Sequence, residues 1–232
     1  MTRSVYNPAF GGAVVMKRLI QRLVKGDPRR RSRLHDYAGN RMDVGGLVHL
    51  PSCLFWTLAR RVGWRPIRPW LGYRAVRRLA GLIQPDWRIL EFGSGLSTVW
   101  LAERAALVVA IDENPEWHEI VVKGLARRRI TNVDYRLAED PETYVAVPGY
   151  PDRTFDLAIV DGRWRASSAE KALRAVRPGG WIFFDNSDVP DEDHQRARSI
   201  LAAAAEGQPE IFIELTPFQF CVNQGLLVRV GK

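Results

Sequence analysis

Cysteine is scarce in this 232-residue chain: there are two, Cys53 and Cys221, far apart and in no metal-type spacing. That excludes a disulfide-stapled scaffold and a cysteine zinc site, and it fits two reduced structural thiols in a cytoplasmic protein. The four histidines offer no metal spacing either. His118, beside Trp117, reads as a solvated helix residue. Long apolar runs are also missing. No stretch reaches the ~18 apolar residues of a membrane span. Val44 to Ala59 is broken by His49 and Pro51, and Ala9 to Met16 by Gly11 and Gly12, which also argues against a signal peptide. Acidic residues are few in one region. Residues 1–85 hold 17 Lys/Arg against 3 Asp/Glu, and residues 86–232 hold 17 against 23, within a net charge of +8. A basic N-terminal third of this kind faces an anionic membrane surface, a nucleic acid or a phosphorylated substrate, or is simply a solvated basic surface.

What is present divides the chain in two: a basic helical extension or cap over residues 1–69, and an α/β domain over 70–232. In residues 15–25, Met16, Leu19, Ile20, Leu23 and Val24 form one apolar stripe opposite Lys17, Arg18, Gln21, Arg22 and Lys25, which predicts an amphipathic helix. The run Arg29-Arg30-Arg31-Ser32-Arg33 follows. Further helices are expected over Pro51–Arg61 and Leu71–Ile83, separated by a proline-punctuated linker. From Pro85 the rhythm becomes strand, helix, strand. Strands are expected at Arg88–Phe92, Leu107–Ile111, Asn132–Leu137, Phe155–Val160, Gly180–Phe184, Glu210–Leu215 and Leu226–Val230. Helices are expected near Ser97–Arg104, Pro115–Arg128, Ser167–Val176 and Asp191–Ala205. The early strands are continuous apolar runs, as a parallel sheet covered on both faces requires. The last two strands have no helix between them and should pair as an antiparallel hairpin. The fold class is a Rossmann-like, seven-stranded, mostly parallel sheet with helices on both faces.

The chemistry gathers at the ends of the strands. Glu91-Phe92-Gly93-Ser94-Gly95 leaves an apolar strand and enters a helix near Ser97-Thr98. Glycines allow a sharp turn and close ligand approach, and the helix start offers free N–H groups. A third glycine in dinucleotide spacing is absent, position 98 being Thr98, and no Gly-Lys-Ser/Thr phosphate loop occurs. Asp112-Glu113 ends the second strand, about 20 positions on, where an acid accepts from ribose hydroxyls. Ala138-Glu139, Asp161-Gly162 and Asp185-Asn186 end the next three strands. In an open parallel sheet this edge is where ligands bind.

From Trp70 to Val230 the chain resembles the class I S-adenosylmethionine-dependent methyltransferases, most specifically in Ile89 to Thr98 followed by Val109-Ala110-Ile111-Asp112. The resemblance implies that Glu91, Gly93, Ser94, Gly95, Ser97 and Thr98 surround the methionine part of S-adenosylmethionine. It implies that Asp112, with Glu113 close by, holds the ribose, that Ala138 and Glu139 lie near the adenine, and that Asp161 also faces the cofactor. Arg177-Pro178-Gly179-Gly180 looks like the turn such enzymes carry before strand five. A narrower resemblance is to the metal-dependent O-methyltransferases of the catechol and caffeoyl-coenzyme A kind. It implies that Asp161, Asp185 and Asn186 hold Mg²⁺, a hard cation suited to oxygen ligands. There the expected basic lysine is replaced by Trp164, between Arg163 and Arg165. Asp161 and Arg163 are accordingly the candidate catalytic residues, and Arg163, Trp164 and Arg165 are candidates for substrate recognition.

The acceptor is narrowed by exclusion. Asp161-Gly162-Arg163-Trp164 is not the Asn/Asp-Pro-Pro-aromatic motif of many amino-methyltransferases, and neither cysteine is placed to attack a cytosine. A small molecule, sugar or lipid-linked glycan is the first expectation. RNA is the rival, through Arg29 to Arg33 with Trp56, Trp64 and Trp70, although no RNA-binding module is recognisable. Residues 15–33 read equally as a peripheral anchor at the inner face of an anionic membrane. The apolar stripe also suits a homodimer partner or the domain's own core. A non-catalytic scaffold of the same fold is the remaining alternative.

Overall fold

The computed structural model describes residues 26–64 and 66–231. The helix expected at 15–25 lies outside the described residues. Seven strands form one sheet: β1 (Arg88–Phe92), β2 (Leu107–Asp112), β3 (Val133–Leu137), β4 (Phe155–Val160), β5 (Val176–Asp185), β6 (Glu210–Thr216) and β7 (Cys221–Arg229). Their spatial order is β3-β2-β1-β4-β5-β7-β6. Pairing is parallel from β3 through β5, while β7 runs antiparallel to both β5 and β6. The expected Rossmann-like sheet with a reversed C-terminal hairpin is therefore the observed one. The order reverses between β1 and β4, and there the polar residues following these strands converge.

The sheet is buried on both faces, which explains the lack of alternation in its central strands. On one face Leu90, Phe92, Val160, Phe184 and Leu226 pack with Tyr144, Ala169 and Leu201. On the other, Ile89, Val108, Leu157, Phe183 and Leu227 pack with Leu71, Ala75 and Leu79.

Helix α1 (Leu50–Arg61) and helix α2 (Tyr73–Leu82) precede β1. A 3₁₀ turn, Val44–His49, leads into α1, capped by the Asp43 carboxylate accepting from the Gly46 N–H. Helix α3 (Leu96–Ala102) follows β1 and helix α4 (Pro115–Arg128) follows β2, the latter capped by the Asn114 side chain with Pro115 in its first turn. A short helix, α5 (Pro141–Ala146), appears where the sequence reading had none. Its signal was present: the Asp140 side chain accepts from the Thr143 N–H, and Pro141 opens the first turn. Helices α6 (Arg165–Ala175) and α7 (Glu192–Ala203) complete the set.

Strand five differs from expectation in its start. Arg177-Pro178-Gly179-Gly180 does not precede the strand but lies inside it as an irregularity. Phe155 pairs with Val176, and the next paired position, Leu157, faces Trp181. The excess residues are absorbed by Gly179 at φ +75°.

The N-terminal segment is stitched to the hairpin edge of the sheet. Met42 and Cys53 share a core with Leu215 and Val222. The buried Arg30 guanidinium donates to the Val222 carbonyl and, at 2.7 Å, to Asn223 Oδ1. Among the described residues, no helix is long and apolar enough to cross a membrane.

Candidate functional site

Two backbone turns meet over the switch point of the sheet. Gly93 leaves β1 at φ +89°, and a Cβ there would lie 2.2 Å from the Gly162 nitrogen. Gly162 leaves β4, and a Cβ there would lie 1.9 Å from the Tyr144 hydroxyl. Both positions therefore require glycine, one for its left-handed conformation and both for space. The contact brings the residues after β1, β2 and β4 around one cavity of about 290 Å³, lined by Gly93, Ser94, Asp112, Glu113, Trp117 and Asp161, among others.

Glu91 lies in the strand just before the turn, fully buried. The Thr98 hydroxyl donates to its Oε2 at 2.6 Å, and Thr98 Oγ1 accepts from the Gly95 N–H at 3.2 Å, so the first turn of α3 clamps the acid and the loop together. Glu91 Oε1 has no hydrogen-bond partner. Burial raises the pKa of Glu91 to about 8, against the lowering effect of Ser97 and Thr98. A buried carboxyl with a free oxygen is costly unless a ligand completes it.

Asp112 organises the other wall. Its Oδ2 accepts from both the N–H and the hydroxyl of Ser94 at 2.8 Å, and its Oδ1 accepts from the Asn114 N–H at 2.8 Å. The carboxylate thus holds the glycine turn and the start of α4 in register, with lone-pair capacity left on Oδ1. Glu113 faces Arg163 across the cavity at 3.8 Å. Ala138 is buried, and its N–H donates to the Asp112 carbonyl, whereas Glu139 is exposed. Neither Ala138 nor Glu139 lines the cavity.

The three arginine-and-tryptophan positions after β4 separate sharply. Arg163 is exposed. Trp164, at φ +48°, turns back to pack on Tyr144 with ring centroids 5.1 Å apart. Arg165 is buried. It donates to the Val160 and Asp185 carbonyls at 2.9 Å, to the Asp161 carbonyl at 2.8 Å and to Asp161 Oδ1 at 3.1 Å. Of the three, Arg163 is the most exposed and Arg165 the most buried. Burial raises the Asp161 pKa against the pull of Arg165. Asp185 is raised well above the usual carboxylate range by burial and by the Asp161 charge.

Asp161 and Asp185 are close enough for their charges to act on each other, and the cation beside them is the Arg165 guanidinium, on Asp161 Oδ1 and the Asp185 carbonyl. Asn186, at φ +57°, follows in the turn. A divalent ion placed among these three residues meets Arg165, which already engages the Asp161 carboxylate and three carbonyls. Among the described residues, no group of three His, Cys, Asp or Glu is arranged to hold a metal ion. The donor set present does not fit Mg²⁺ as an O-methyltransferase site would.

Sequence reasoning missed two contributors, Trp117 and Tyr144. Trp117 lines the cavity and packs edge-on against Trp70 at 5.7 Å, while its neighbour His118 stacks on Tyr135 at 4.3 Å. The signal for Trp117 lay in its place in the first turn of α4. Tyr144 sits on the helix that had no expectation.

Residues 90–187 match the model of the methyltransferase domain family. No curated protein matches the chain in sequence. Among solved structures, the chain is similar to the O-methyltransferase TomG from Streptomyces achromogenes in complex with SAM: TM-score 0.57, 21% identity, 78% of this chain and 90% of that one covered. It is similar to an O-methyltransferase described as putative from Klebsiella pneumoniae: TM-score 0.57, 20% identity, 94% and 97% covered. It is also similar to the tRNA (m1A58) methyltransferase TrmI from Aquifex aeolicus: TM-score 0.53, 18% identity, 73% and 78% covered. The chain has the Rossmann-like fold of these structures, and residues 90–187 are the part similar to the methyltransferase domain family.

Proposed function

We propose that this chain transfers the methyl group of S-adenosylmethionine to an oxygen of a small-molecule, sugar or lipid-linked glycan acceptor, without a divalent ion. The observation that carries the cofactor reading is Glu91: a buried carboxyl whose Oε1 is unpartnered beside the glycine turn suits the ammonium group of an amino-acid moiety. Oδ1 of Asp112, with one hydrogen bond, has capacity for a ribose hydroxyl. Bound there, S-adenosylmethionine supplies a methyl carbon activated by its sulfonium. The acceptor oxygen would take that methyl group and leave S-adenosylhomocysteine, and the acceptor hydroxyl would give up its proton.

Asp161 faces the cavity and is the carboxylate placed to receive that proton. Arg165 fixes its orientation through the bond to Oδ1 and supplies the positive charge that a metal would otherwise bring. The Gly93–Gly162 contact presses the two turns together and narrows the space open to water.

Calorimetry with S-adenosylhomocysteine and transfer of labelled methyl groups to phenols, glycans and RNA in parallel test the reading. Binding, turnover on an oxygen acceptor that EDTA leaves unchanged, and a loss of roughly 10²-fold or more in Asp161→Asn are the expected results. Absent cofactor binding sinks the reading, turnover on RNA alone transfers it to the rival acceptor, and loss of activity in EDTA returns the metal.

A further inference from the structure

A second and larger cavity, of about 730 Å³, opens between the N-terminal segment, α1 and the β6–β7 turn. β6 runs parallel to β1–β5, so the turn after Thr216 lies at the same sheet edge as Gly93, Asp161 and Asp185. Guanidinium groups dominate its wall: Arg30, Arg33, Arg60 and Arg61 line it. The acid there, Asp27, is engaged by Arg29 and by the Tyr37 hydroxyl. Arg60 donates to the Phe218 carbonyl and sits over the Trp70 ring at 4.6 Å. Among the described residues, neither Arg30, Arg60 nor Arg61 forms an ion pair with a carboxylate. The opposite wall is apolar, with Leu54, Leu58, Phe218 and Phe220.

The two cavities share an aromatic partition. Trp117 lines the first, Phe218 lines the second, and Trp70 stands between them at 5.7 Å and 5.6 Å. The Trp70 indole N–H is buried and has no hydrogen-bond partner. Arg60 and Arg61, without a carboxylate partner among the described residues and beside an apolar wall, suit a ligand with an anionic group next to a hydrocarbon or aromatic portion. An unsatisfied buried donor on the partition suits an oxygen reaching from one cavity towards the other.

We propose that this cleft is the acceptor site and that the methyl acceptor is an amphipathic anion, its phosphate or carboxylate held by Arg60 and Arg61 and its apolar part against Leu58 and Phe218. The assignment rests on the methyl-transfer reading above.

Octyl phosphate, inorganic phosphate and neutral octyl glucoside are titrated calorimetrically into the full chain, with S-adenosylhomocysteine titrated separately. Octyl phosphate is expected to bind at least tenfold tighter than either of the other two. Arg61→Glu is expected to weaken it at least tenfold and leave S-adenosylhomocysteine affinity within twofold. Arg61 is exposed, so its reversal spares the fold; Arg60→Gln repeats the test closer to the partition. Octyl glucoside binding as well as octyl phosphate overturns the anionic handle, and inorganic phosphate binding as well overturns the apolar part. An unchanged Arg61→Glu overturns the site. Failure of S-adenosylhomocysteine to bind, with octyl phosphate still bound, removes the methyl-transfer reading instead.

Discussion

Glu91 shows how one residue links stability to a site. An accessible glutamate ionises near 4.5, but burial moves Glu91 to about 8. Between these values the unfolded chain loses the proton while the folded chain keeps it. Folding therefore weakens as pH rises through that window, by up to about 1.4 kcal/mol per pH unit, and the loss is complete above about 8. Glu91→Gln keeps an oxygen for the Thr98 hydroxyl and has no proton to lose. Urea unfolding at pH 5, 6.5 and 8 should show the wild-type stability falling relative to Glu91→Gln. A constant difference at the three pH values would contradict the assignment. That Glu91 borders a ligand turn is legible from Glu91-Phe92-Gly93-Ser94-Gly95; that one of its oxygens is unpartnered is not, because it depends on how Thr98 is brought back by α3.

At the scale of elements, Arg165 fastens the ends of β4 and β5 to the start of α6. Its guanidinium satisfies the carbonyls of Val160, Asp161 and Asp185 and holds the Asp161 carboxylate. Arg165→Met should cost roughly 3–5 kcal/mol in urea unfolding, since three carbonyls and the Asp161 carboxylate lose their partner. Arg165→Lys should recover less than half, because an ammonium lacks the planar fork that reaches several acceptors at once. A cost under ~1 kcal/mol for Arg165→Met would refute the fastening role. The sequence places Arg165 among surface candidates for substrate because it follows Arg163 and Trp164. Its burial is fixed by where α6 begins, with Trp164 in a left-handed turn. Helix α5 and the early start of β5 were misread for similar reasons. A helix of six residues gives too little periodicity, and Pro178-Gly179-Gly180 marks an irregularity as readily as a boundary.

At the scale of the whole molecule, the N-terminal segment and the sheet are joined by buried polar contacts. Arg30 reaches Val222 and Asn223, the Tyr37 N–H donates to Asp188, and Gln224 donates to Asp36. Unfolding should therefore be a single transition, with tryptophan fluorescence and circular dichroism coinciding. Arg30→Ala should lower stability by about 3 kcal/mol through orphaned acceptors. A separate early transition would show that the segment before α2 folds independently.

The residue pattern alone determined the sheet, its reversed hairpin and the turn that opens the first cavity. Continuous apolar strands, two glycines and strand-end acids are local features, each readable within a few positions. Only the tertiary structure decided which cation holds the Asp161 carboxylate, and that Phe218, Trp70 and Trp117 separate two cavities. Those residues are distant in sequence and are brought together by the strand order β5-β7-β6 and by the packing of α1 on the hairpin. No periodicity along the chain encodes that order.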